Sequence, residues 1–166
     1  MTLLDAPKFD AARDRRNQII IFGSAGLFVV LFVASWFVAG MPVDFPWNWW
    51  AHFIGRSTAS HFLSAVEQND LGKAYGIWTH DPDWKSHPQQ HAAYPFARFQ
   101  QDWSPTSSGN DYGAIKSHKI LAARLSGNVL IMGIRVNDLK SNALFLNYEP
   151  RTHQLGFSPV QLYLGP

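Results

Sequence analysis

The run IIIFGSAGLFVVLFVASWFV, residues 19 to 38, places no charged side chain over twenty consecutive positions. At about 1.5 Å of rise per residue, a helix of that length crosses the roughly 30 Å hydrocarbon layer of a bilayer. A chain that keeps such a stretch in lipid must put its remaining residues into a separate water-facing body, so this one segment divides the sequence. A secretory signal has a shorter apolar stretch, about 7 to 15 residues, closed by a small-x-small site. Here the run is longer and Val38-Ala39-Gly40 is only a passable match, so a retained anchor is expected over a cleaved signal. The segment holds no ionisable side chain and no Gly-x-x-x-Gly pair, so neither an intramembrane site nor a strong self-association face is expected in it.

Flanking charge sets the expected direction. Lys8, Arg13, Arg15 and Arg16 precede the span, and the next basic residue is Arg56. Lys and Arg beside a span resist translocation. The tail 1–18 is therefore expected in the cytoplasm, the segment 19–40 across the inner (cytoplasmic) membrane, and the C-terminal part on the periplasmic or extracytoplasmic side. Pro42 and Pro46 end the membrane helix. Residues 41–56 then read as an interfacial neck in which Phe45, Trp47, Trp49, Trp50 and Phe53 suit the headgroup depth favoured by amphipathic rings. Burial of some of these rings in the domain or against a partner subunit is the alternative.

Residues 57–166, about 110 of them, have the size of one exported domain. A formal charge of +2, with no basic run beyond Arg15-Arg16, gives no electrostatic footprint for nucleic acid. The absence of cysteine removes disulfides, thiolate metal sites, thiol catalysis and cysteine lipidation. Whatever chemistry remains must use His, carboxylates, Tyr or Ser.

Within the domain, Ser57-Thr58 offers a helix N-cap, and Phe62, Leu63 and Val66 recur at helical spacing up to Gln68-Asn69-Asp70. A second helix is expected from Leu71 to Trp78 and a third from Tyr94 to Trp103, stopped by Ser104-Pro105. Strand-like runs follow at Ala114 to Leu125, Val129 to Asn137, Ala143 to Glu149 and Gln154 to Phe157. They are joined at Ser126-Gly127-Asn128, Asp138-Leu139-Lys140-Ser141 and Pro150-Arg151-Thr152. Short turns imply an antiparallel meander, and Val129 to Val136, apolar on both faces, reads as its central strand. Helices first and strands afterwards is an α+β order.

The stretch FLSAVEQNDLGKAYGIWT, residues 62 to 79, resembles the opening helical hairpin of NTF2-like domains, the cone fold of ketosteroid isomerases. That resemblance implies three helices packed on a curved antiparallel sheet with a cavity at the wide end. The layout of tail, single span and exported NTF2-like domain is similar to that of a scaffold subunit of type IV secretion systems.

Catalytic NTF2-like proteins place carboxylates, Tyr or Arg in the cavity, and burial makes such a carboxylate a useful acid or base. No such constellation matches here residue by residue. Tyr75, Trp78, Tyr94, Asp102 and Trp103 are the candidates for lining a cavity. Aromatics at helical spacing more often form core, and Asp81, Asp83, Asp102 and Asp111 read more simply as caps or turn residues. In HDPDWKSHPQQHAAY, residues 80 to 94, His87 and His91 are the weak candidates for a metal, with His80 or Asp83 folding back as further ligands. Pro88, however, fits only a helix start, and no Glu supplies a metalloprotease base. A solvated loop anchored by Trp84 is the simpler reading. No cofactor is expected. The sequence thus favours a non-enzymatic binding or scaffold domain, whose partners are the bilayer and other subunits of a membrane complex or copies of itself. The alternative is a small-molecule-binding protein or an isomerase- or hydrolase-type enzyme using the cavity.

Overall fold

The computed structural model describes residues 11–138 and 143–164. Residues 1–10, including Lys8, and Leu139, Lys140 and Ser141 of the expected turn lie outside the described residues. The chain divides after Val38 into two units.

The first unit is helix α1, Ala11–Val38. It starts eight residues before the apolar run, so Arg13, Arg15 and Arg16 form its first turns. None of its residues is buried. It is long and apolar enough to span a membrane by length and composition, the one such helix among the described residues.

The second unit mixes helix and sheet. A 3₁₀ turn at Pro46–Asn48 leads into α2 (Trp49–Glu67), followed by α3 (Leu71–Thr79), 3₁₀ turns at Trp84–Ser86 and Pro88–His91, and α4 (Phe96–Trp103). The strands β1 (His118–Ser126), β2 (Val129–Val136), β3 (Ala143–Glu149) and β4 (Gln154–Phe157) form one antiparallel sheet in the order β1-β2-β3-β4.

The helices differ from the sequence reading at their starts. Ser57 and Thr58 do not cap α2; they lie in its middle, because the buried face formed by Ala59, Phe62, Leu63 and Val66 continues backward through Gly55 and His52 at steps of three and four. Neither a glycine nor a histidine marks a helix face in a sequence. At Gly55 the missing side chain matters, since a Cβ there would stand 2.7 Å from Leu130 Cδ2 and 2.8 Å from Tyr148 Cδ1. Helix α4 begins at Phe96 rather than Tyr94, with Pro95 as its N-cap residue in an extended conformation. Strand β1 begins at His118 rather than Ala114: the Asn137 side chain accepts from the Lys116 N–H at 2.7 Å and donates to the Ala114 carbonyl at 2.8 Å, taking the place of the ladder there.

Two tight joints place the later residues of interest. At the end of α2, the Asp70 N–H reaches the Ala65 carbonyl and the Asn69 N–H the Val66 carbonyl, a Schellman motif with Asn69 left-handed. Asp70 then caps α3 by accepting from the Lys73 N–H. The pattern repeats at the end of α3, with His80 left-handed and the Asp81 N–H on the Gly76 carbonyl. Asp81 is thereby fixed two residues beyond the last residue of the helix.

The core lies between the helices and one face of the sheet. Cross-strand pairs Leu130–Tyr148, Met132–Leu146 and Ile134–Leu144 are all buried there, against Phe62, Leu63, Tyr75, Phe99 and Trp103. Strand β2 is buried on both faces and central, as its two-sided apolar pattern suggests. On the other face, Leu164 covers Gly133, where a Cβ would stand 2.4 Å from Leu164 Cδ2. Leu121 is the extra residue of a bulge in β1, between the pairs Ile120–Ile134 and Ala122–Gly133.

Candidate functional site

The five residues considered for a cavity sit in and around an aromatic cluster. Phe62 meets Trp103 edge-on at 4.8 Å and Trp78 at 5.2 Å, and Trp103 stacks on Phe157 at 5.6 Å with only 7° between the rings. Such offset and edge contacts are what the ring quadrupoles favour. Tyr75 is 1% exposed and its hydroxyl donates to the Tyr94 carbonyl at 2.7 Å. Trp78, only 5% exposed, and the half-buried Tyr94 lie in the wall of an open cleft of about 340 Å³, together with His91, Gln154 and Phe157. Asp102 and Trp103 are not in its wall.

Asp102 is already occupied. It accepts from the Tyr94 hydroxyl at 2.7 Å and from Arg98 Nε at 3.3 Å. Burial first, and the Asp102 carboxylate second, push the Tyr94 hydroxyl far above the usual tyrosine range, with the Trp103 indole N–H and Arg98 acting the other way. Tyr94 is therefore a donor at every physiological pH. The Trp103 N–H is close enough to be felt there, yet it makes no hydrogen bond of ordinary geometry.

His87 and His91 are brought together, although not by His80 or Asp83. Asp81 Oδ2 accepts from His87 Nδ1 and from His91 Nε2, each at 3.0 Å. Asp81 Oδ1 takes the Asp83 N–H, an Asx turn that aims the second oxygen at the imidazoles. The hydrogen bond from His91, ahead of the one from His87, holds the Asp81 carboxyl below the usual aspartate range. Pro88 opens its 3₁₀ turn with His87 just before it, so the two rings do not share a helical face. Among the described residues no three His, Asp or Glu side chains are arranged to hold a metal. The loop is pinned instead by Trp84, whose indole N–H donates to the Gly72 carbonyl at 3.1 Å.

A further constellation has no signature in the sequence. Ser60 Oγ lies 2.9 Å from His118 Nε2, and His118 Nδ1 lies 2.6 Å from Glu67 Oε1. Ser60 and Glu67, seven residues apart on α2, project from one helical face, and His118 opens β1. With Nδ1–H donated to the carboxylate, Nε2 is free to accept the serine proton, the order of a nucleophile, a base and an orienting acid. Ser60 is nonetheless inside a helix, where the surrounding N–H groups donate to carbonyls four residues back and are not free for a developing oxyanion. A second relay joins His52, 1% exposed, to Asp44 at 2.6 Å. Partners 58 and 51 residues away from His118 carry no spacing signal, which is why a sequence cannot disclose them.

Of the neck aromatics, Phe45, Trp47 and Trp50 are 66%, 74% and 69% exposed and Phe53 is also exposed. Phe45 stacks on Trp47 at 4.6 Å, and Trp50 leans on Phe53 at 5.7 Å. Trp49 is half-buried, with its indole N–H donating to the Asp44 carbonyl at 3.0 Å. Compared with the profiles of known protein families, with characterised proteins and with solved structures, the chain matches none.

Proposed function

We propose that the chain is a single-pass membrane protein whose C-terminal unit, of NTF2-like kind, faces the extracytoplasmic side of the inner membrane and serves as a non-enzymatic binding or scaffold subunit of a membrane complex. The observation that carries this reading is a helix with twenty uncharged residues and none buried, followed within fifteen residues by four exposed aromatic rings. A helix apolar all round and unburied suits lipid as its surroundings, and rings of this kind suit the headgroup layer. The order of three helices and a four-stranded meander supports the NTF2-like reading, as does the hairpin at residues 62–79. The interior expected to hold a cavity is occupied by Phe62, Trp78, Phe99 and Trp103, which favours binding at a surface over chemistry in a pocket.

Mild crosslinking of native membranes, detergent extraction and size analysis test the scaffold role. A discrete assembly, with itself or with a defined partner, is the expected result. A chain that runs only as a lone monomer overturns it.

A second reading, a hydrolase, is favoured by the Ser60–His118–Glu67 chain. In that reaction His118 Nε2 takes the Ser60 proton as Oγ attacks an ester carbonyl, and the departing alcohol leaves with that proton. A fluorophosphonate probe decides between the two. Under the hydrolase reading an Oγ–P bond forms at Ser60, fluoride leaves with the proton, and Ser60→Ala or His118→Gln abolishes the adduct. Under the scaffold reading the folded chain carries no adduct at Ser60 beyond that of its other serines.

A further inference from the structure

Arg56 is the first cation after Arg16, ending thirty-nine residues without one. It projects from α2, is half-buried, and lays its guanidinium over Gly40: a Cβ on that glycine would stand 2.9 Å from Cζ and Nε and 3.2 Å from Nη1. No described carboxylate or carbonyl accepts from it. Asp44, the sole acid between residues 39 and 56, is engaged by His52 at 2.6 Å. Burial pulls the guanidinium pKa downward, and no acid among the described residues opposes it. A partly desolvated charge with no acceptor among the described residues is open to an anion from outside the chain.

The position indicates which anion. Gly40 is two residues beyond Val38, the last residue of α1, a reach of at most about 7 Å. The headgroup layer occupies about 5 to 8 Å on each side of the hydrocarbon. If α1 spans the bilayer, the guanidinium therefore falls at the depth of the lipid phosphates, and the same stretch of chain carries the exposed rings of Trp47, Trp50 and Phe53. The planar fork of an arginine presents two parallel N–H donors to a phosphate, which a lysine cannot do.

We propose that Arg56, with its guanidinium over Gly40 and the exposed aromatic rings of residues 45–53 beside it in sequence, binds the phosphodiester headgroup of a membrane phospholipid. The inference rests on the membrane-spanning reading of α1, and the test separates the two. Native mass spectrometry of the full chain in detergent counts bound phosphatidylglycerol, and alkaline carbonate extraction of membranes measures anchoring independently. Wild-type protein is expected to retain phosphatidylglycerol about tenfold more tightly than Arg56→Gln, the difference one charge-assisted contact supplies. Diacylglycerol, which has the chains without the phosphate, should not be retained, and millimolar inorganic phosphate should not displace the lipid. Arg56→Lys should fall between, and serves as the comparison if Arg56→Gln does not fold. Equal retention by wild type and both variants overturns the proposal even when the chain is firmly anchored, as does equal retention of diacylglycerol. Displacement of the lipid by inorganic phosphate reassigns the site to a soluble anion and also overturns it. Loss of the chain in the carbonate wash overturns the anchoring reading alone.

Discussion

Helices α1 and α2 are built from similar residues and have opposite relations to their surroundings. In α1 the apolar side chains point in every direction and none is buried, whereas α2 buries one face, His52, Gly55, Ala59, Phe62, Leu63 and Val66 among it, and leaves Ser60, His61 and Glu67 outside that face. Composition alone therefore does not define an interior. A helix that is apolar all round needs lipid or protein on every side, and one with a single apolar face needs one layer, here a sheet, to lie on.

That contrast breaks most readily at Phe62, which is fully buried in contact with three aromatic rings. Phe62→Ala should destabilise the second unit by about 3 to 5 kcal/mol, read from denaturant unfolding in detergent, and leave membrane extraction unchanged. The reverse experiment is Leu31→Arg, which should cost about 2.5 to 3.5 kcal/mol of insertion and appear as protein lost in a carbonate wash, with the unfolding midpoint of the second unit unmoved. A midpoint that fell with Leu31→Arg would show that the two units do not stand independently. The contact of α2 with the sheet is sharpened at Gly55. Gly55→Ala drives a methyl toward Leu130 and the ring of Tyr148 and should cost about 1 to 3 kcal/mol, whereas Gly23→Ala in α1, with nothing within 4 Å, should cost nothing measurable in the same unfolding experiment.

The smallest effect belongs to Asp81. Its folded-state pKa is depressed, so the stability it contributes is present above its unfolded value, about 3.9, and is lost as pH falls through the lower folded value. Thermal melts of Asp81→Asn should therefore lie below wild type at neutral pH and converge with it below about pH 4. A gap that persisted in acid would mean that the side chain acts there by shape and not by charge.

Much of this fold is legible in the sequence where local signals are strong. The ends of α3, β3 and β4 fall within a residue of the turn residues that bound them, and the two-sided apolar pattern of Val129–Val136 correctly makes it central. The first two turns of α2 were hidden because a buried histidine and a glycine continue its inner face, and His52 is tolerable there only through Asp44, eight residues earlier. Asp81 reads as a turn residue and is one. Its hold on His87 and His91 follows from a Schellman joint at His80 that no spacing rule announces. Ser60, Glu67 and His118 are united only by the packing of α2 on β1, and Arg56 gains its interest from having no acid partner among the described residues, which a sequence cannot display.

Leu164 over Gly133 has a consequence for timing. The central strand is synthesised some thirty residues before the side chain that shields its outer face. A chain that has reached Phe157 but not Leu164 can pair all four strands and still lack the side chain nearest Gly133, leaving a patch of the kind that proteases and chaperones read. Leu164 thus acts as a seal on the central strand, and the protease sensitivity of Leu164→Ala would report on whether it has been set.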